Sequence, residues 1–101
     1  MAFYKIINGK RKIIPIEVKG QWHSEVYSAF DNQLNQLYTI HPDSEGQGIY
    51  LVLWFGKDEK VANKKRHRIQ NAEELHKKIQ ENMSEELRKR IDIFVIDLSC
   101  V

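Results

Sequence analysis

Glu17 and Lys19 are the residues whose types and spacing carry the most chemistry in this chain. They lie two apart in Ile13-Ile14-Pro15-Ile16-Glu17-Val18-Lys19, a run rich in β-branched residues that reads as a strand broken by Gly20. Successive side chains of a strand point to opposite faces, so Glu17 and Lys19 leave on the same side. An acid and a lysine at a strand end can share one polar pocket. Magnesium takes hard oxygen ligands, and the Glu17 carboxylate with the Val18 carbonyl would supply two. A metal held there would lower the pKa of a bound water, and Lys19 would position that water or help deprotonate it. As a bare pattern, Glu-x-Lys is also what a surface ion pair looks like.

A second group of residues bears on phosphates. The whole chain carries a net charge of only +2, so it is no polycation. Between Lys57 and Arg68, however, Lys57, Lys60, Lys64, Lys65, Arg66 and Arg68 stand against only Asp58 and Glu59. That local excess would suit a phosphate backbone, and a solvated loop is the plainer reading. Trp22 and Trp54 have faces on which bases can stack, although core packing or strand-end anchoring is their commoner use. Trp22 is the better stacking candidate because it follows the break at Gly20. His23, His41, His67 and His76 lack the paired spacing of a zinc site. Cys100 reads as structural or incidental. Gly46-Gln47-Gly48 lacks the following helix that a phosphate-binding loop needs.

The elements that position these residues follow from length and patterning. A chain of 101 residues fits a single domain, 1–101, with one modest core. Its 42% hydrophobic and 30% charged residues describe a soluble globular protein. No apolar run approaches the ~20 residues that span a bilayer. The N-terminus lacks the order of a signal peptide, and one cysteine makes no internal disulfide, so a reducing cytoplasm is expected.

Residues Phe3 to Ile7 predict a first strand, and Asn8-Gly9 is a strong hairpin signal. The second strand runs from Lys12 to Lys19, where Pro15 suggests an edge position or a bulge. A helix is predicted from a Ser24 cap to Thr39, its stripe made by Val26, Tyr27, Phe30, Leu34, Leu37 and Tyr38. Ile49 to Phe55 is apolar throughout, which predicts a central strand covered on both faces. Asn71 caps a helix that turns Leu75, Ile79 and Met83 inward, with Glu74 reaching back. Ser84 opens a short helical turn, and Ile91 to Leu98 closes the chain as a strand. Strands reached through helices normally pair in parallel. The predicted fold class is α/β: a four-stranded mixed sheet, β-hairpin then αβαβ, with helices packed on it.

The run Ile14-Pro15-Ile16-Glu17-Val18-Lys19-Gly20, after a hairpin and before an amphipathic helix, resembles the PD-(D/E)xK, or restriction-endonuclease-like, nuclease superfamily. The order of elements extends the resemblance over nearly the whole chain. The segment Gly48 to Phe55, the basic stretch and Ile91 to Leu98 look like C-terminal regions of bacterial proteins with this fold. The resemblance implies Mg²⁺-dependent hydrolysis of DNA phosphodiesters in complete members. It implies Glu17 and Val18 on the metal, Lys19 on the water, and Gln33, five residues ahead of Tyr38, orienting the pair. Lys64, Lys65, Arg66, Arg68 and Trp22 would then meet DNA.

One departure changes the expectation. The family pattern has an aspartate on the first strand of the hairpin, and here Ala2 stands in its place, with no Asp or Glu before Glu17. Glu25 is the acid that would substitute. The helix and strand that precede the hairpin in the family have no counterpart either. The chain thus looks like the C-terminal part of a truncated nuclease-like core, inactive by itself. The alternative is a non-catalytic DNA-binding or protein-interaction module. Its open sheet edge or apolar face would self-associate or dock on a partner domain.

Overall fold

A computed structural model describes residues 2–7, 10–31 and 47–99, with side chains from Ile14 onward. In chain order its elements are β1 (Ala2–Ile7), β2 (Lys10–Gly20), β3 (Gly48–Trp54), α1 (Ala72–Glu81), α2 (Glu85–Arg90) and β4 (Ile91–Asp97). β3 runs parallel to β2, from Ile16 beside Ile49 to Gly20 beside Leu53. β4 runs parallel to β3, from Gly48 beside Ile91 to Trp54 beside Asp97.

β1 lies outside this parallel arrangement. It pairs antiparallel with Lys10–Pro15 of β2 and ends with Ala2 opposite Pro15, one residue before β3 takes over at Ile16. No residue of β2 is therefore paired on both sides. Proline lacks the N–H that a ladder needs, and buried Pro15 stands where one partner gives way to the next. The expected four-stranded mixed sheet built on a hairpin is thus corrected. The sheet proper is three-stranded and all parallel, accompanied by two short helices.

The segment after β2 is described as far as Asp31, and its helical part starts later than the Ser24 cap predicts. Among the described residues, 24–28 form turns, and helical backbone begins at Ala29, where the Ala29 N–H donates four residues back to the Glu25 carbonyl at 2.8 Å. Val26, Ser28 and Asp31 each donate a main-chain bond three residues back, to His23, Glu25 and Ser28. These tighter turns lead into the helical residues 29–31. The His23 ring, not Ser24, caps the first turn: its Nδ1 accepts the Glu25 N–H at 3.1 Å. The apolar stripe still works, since Val26, Ala29 and Phe30 are buried. Leu34, Leu37 and Tyr38, with the rest of the predicted helix, lie outside the described residues.

α1 forms as its pattern predicts. Asn71 Oδ1 accepts the Glu74 N–H at 2.8 Å, and the Glu74 carboxylate reaches back to the Gln70 N–H at 3.0 Å. Glu73 and Glu74 in the first turn suit the positive end of the helix dipole. Leu75, Ile79 and, just beyond the helix, Met83 are buried. Ser84 caps α2 through the Leu87 N–H.

β3 is central, but its cover comes from one side. Gly48, Tyr50, Val52 and Trp54 are buried, while Ile49, Leu51 and Leu53 are half-exposed. The buried row packs with Val26, Phe30, Leu75 and Ile79 in one core. Strands added in one direction by right-handed crossovers place every crossover on the same face. Covering on both faces, which the all-apolar strand suggested, therefore does not occur among the described residues.

Candidate functional site

Glu17 lies beside Tyr50 and Lys19 beside Val52, so both side chains leave β2 on the covered face. Lys19 Nζ stands 3.2 Å from Glu17 Oε1, with the two side chains 14% and 12% exposed. In so shielded a place either charge alone would be costly, and each offsets the other. Tyr50 packs beside the pair and donates its phenolic O–H to the Val26 carbonyl at 2.7 Å. Burial, and then the charges of Glu17 and Glu25, push its pKa far above the usual phenol value. Two carboxylates thus bear on one buried phenol.

The described residues around the pair offer a divalent cation few ligands. Among the described residues no three His, Cys, Asp or Glu side chains come together. The Glu17 carboxylate is already paired with Lys19, whereas Mg²⁺ demands a near-octahedral set of oxygens. Val18 turns its side chain to the opposite face, leaving only a main-chain oxygen as a donor. Gln33, the residue expected to orient the pair, lies outside the described residues.

The basic loop is held against the end of β2. Gln21 is fully buried. Its Nε2 donates to Gly56 O at 2.8 Å and Lys60 O at 3.2 Å, and its Oε1 accepts the Phe55 N–H. The Gln21 carbonyl accepts the Ala62 N–H at 3.0 Å, and the Trp22 carbonyl accepts the Asn63 N–H at 2.7 Å. Val61 and Lys64 exchange two main-chain bonds, at 3.0 and 2.9 Å, around Ala62 at φ 51 and Asn63 at φ 63. Positive φ at both central residues makes this a tight type I′ turn. The left-handed conformation costs an alanine roughly 1–2 kcal/mol, and the bonds to Gln21 and Trp22 hold it there. Beyond the turn Lys64, Lys65, Arg66 and Arg68 are all exposed. None of the four makes an ion pair among the described residues.

Trp22 brings its main chain, not its ring, to that loop. A Cβ placed on Gly20 would lie 2.5 Å from the Trp22 ring, so the indole covers the face that Gly20 shares with Val18. The ring leans on Phe55, with centroids 5.2 Å apart. It is thus across the sheet from Glu17 and Lys19. Trp54 is a core residue, 1% exposed. The described histidines do local work. His67 accepts the Ile69 N–H on Nδ1 and so donates from Nε2 to Glu59 O, and His76 Nε2 lies 3.2 Å from Ile93 O. His41 and Cys100 lie outside the described residues.

Sequence reasoning missed Gln21 and the Ala62-Asn63 turn. Nothing distinguishes Gln21 from any polar residue that ends a strand. Asn63 is a weak turn signal by itself, and Ala62 points away from a left-handed turn. Comparison of the chain with protein-family models, with curated proteins and with solved structures finds no match in any of the three. No helix among the described residues is long and apolar enough to cross a membrane.

Proposed function

We propose that this chain is a nuclease-like domain that holds DNA through the cations following β3 and does not hydrolyse it alone. Glu17 and Lys19 are the residues that the Glu-x-Lys resemblance assigns to phosphodiester chemistry. The observation that carries the reading is the bond from the Asn63 N–H to the Trp22 carbonyl, 2.7 Å long. It holds the turn that leads into Lys64, Lys65, Arg66 and Arg68 against Trp22, three residues beyond Lys19. Lys64 closes the strained, clamped turn, and Lys65, Arg66 and Arg68 follow it, exposed and without ion pairs among the described residues; strain of this kind collects at functional sites. Each phosphate they neutralise releases counterions, which gives affinity without sequence preference. The pairing of Glu17 with Lys19, which neutralises the acid that a metal would need, supports binding over cleavage.

Titration of a fluorescent DNA duplex across a salt series tests the binding. Four phosphate contacts predict a log–log slope of about −3.6, at ~0.9 per contact, and Lys64→Ala with Lys65→Ala should lower its magnitude by about 1.8. An affinity indifferent to salt, or unchanged in that variant, rejects the reading. Incubation of supercoiled and linear DNA with the chain and Mg²⁺ should leave both intact. Cleavage abolished by Glu17→Ala and Lys19→Ala would make the pair catalytic and overturn the proposed lack of hydrolysis. Cleavage that survives both would eliminate it as the site.

A further inference from the structure

The face of the sheet opposite Glu17 and Lys19 is apolar in nearly every position. Register sets out three rows across it: Ile16, Ile49 and Asp92; Val18, Leu51 and Phe94; Gly20, Leu53 and Ile96. The Trp22 ring, lying over Gly20 and against Phe55, fills the gap in the third row. Several of these side chains are open to solvent: Phe94 is 51% exposed, Trp22 49% and Ile96 42%. Ile14, Phe55 and Val18 are exposed to similar degrees. All-parallel sheets are ordinarily covered on both faces. Contiguous apolar surface of this kind marks an interaction site.

We infer that a second copy of this chain covers the face, packed sheet against sheet in a two-fold dimer. Charge argues for that occupant. Asp92, at one corner, is the only ionisable residue in the three rows, so the face offers nothing to a charged partner such as nucleic acid. An apolar, nearly uncharged surface is complementary to itself, as a two-fold interface requires. Area argues the same way. A standard interface takes about 800 Å² from each partner, and about 65% of a homodimer interface is apolar. Aromatic side chains carry roughly 150–250 Å² each. Half-exposed Trp22 and Phe94, with Phe55 and the three β-branched residues, leave roughly the 500 Å² of apolar area per copy that this demands. Two such sheets would stack about 10 Å apart, their strands within about 30° of alignment. The cations proposed to meet DNA lie outside these rows, so this inference stands or falls independently of them.

Sedimentation equilibrium of the purified full chain over a concentration series tests it. The chain should sediment as a dimer at micromolar concentration, and Phe94→Lys with Ile96→Lys should shift the dimer dissociation constant upward by a hundredfold or more. Circular dichroism confirms that the variant is folded. Phe94→Ser, milder and also at an exposed position, should weaken the dimer at least tenfold if the lysine variant fails to fold. A wild-type chain that remains monomeric at tens of micromolar overturns the inference and leaves the face to a different protein or to a lipid surface. A dimer that tolerates all these substitutions without change places the interface elsewhere and overturns it equally.

Discussion

Lys19 reaches back past one residue to lie 3.2 Å from Glu17, with both side chains mostly shielded from water. Strand alternation puts them on one face, the face on which Tyr50 and Val52 pack with Val26, Phe30, Leu75 and Ile79. Removing one member of a buried pair leaves the other charge without its partner, which typically costs 3–5 kcal/mol. The residual exposure here discounts that figure. Glu17→Ala and Lys19→Ala should each lower unfolding free energy by about 2–3 kcal/mol. Glu17→Leu combined with Lys19→Met should recover most of the loss, because apolar replacement of both partners removes the penalty. Urea unfolding of the two single variants and the double variant measures this. Additive losses would show that the two groups do not depend on each other.

The shared face of Glu17 and Lys19 was legible because it needs only a strand, and β-branched residues at 13, 14, 16 and 18 supply one. The helix α1 was legible for a similar reason: its cap and its apolar spacing are both local. What escaped was non-local. Pro15 announced an irregular position, but not that β1 would hold one half of β2 and β3 the other. The all-apolar β3 reads as buried on both faces. Sequence alone does not separate a face that its own chain covers from one left to another surface. Gln21 escaped because its three partners, Phe55, Gly56 and Lys60, lie more than thirty residues away.

Tyr50 should make the chain sensitive to alkali. Burial, then the negative charges of Glu17 and Glu25, raise its pKa far above the usual value near 10. The folded chain therefore keeps the phenolic proton under conditions where the unfolded chain gives it up. Its contribution is fully present below about pH 10 and is lost as pH rises further, at about 1.4 kcal/mol per pH unit. Tyr50→Phe should cost about 1–2 kcal/mol at neutral pH, because the Val26 carbonyl loses its donor. Above pH 10 the gap between the two proteins should narrow. Urea midpoints of both from pH 8 to 11 measure the effect, and parallel curves would show that Tyr50 does not resist ionisation.

Ala62 should be replaceable with profit to stability. At φ 51 its Cβ crowds the main chain in a way that glycine avoids. Ala62→Gly removes that crowding, while the extra freedom of glycine in the unfolded chain offsets part of the gain. A net stabilisation of about 0.5–1 kcal/mol is expected, with the bonds to Gln21 and Trp22 kept. A lower urea midpoint in the glycine variant would contradict a left-handed residue at this position.

Gly20→Ala probes the other side of the strand. The added Cβ would lie 2.5 Å from Cη2 and Cζ2 of Trp22, closer than side chains approach, so the ring must move away. Trp22 is half-exposed and has solvent to swing into, which keeps the cost near the low end of overpacking, about 1 kcal/mol. The displaced indole also leaves Phe55, its neighbour at 5.2 Å. Trp54, buried in the core, supplies a constant background, so any change in emission reports on Trp22. A red shift in tryptophan fluorescence with little change in circular dichroism is therefore the expected signature. An unchanged spectrum would mean that the ring does not rest over Gly20, and the third row of the open face would then lack the side chain that completes it.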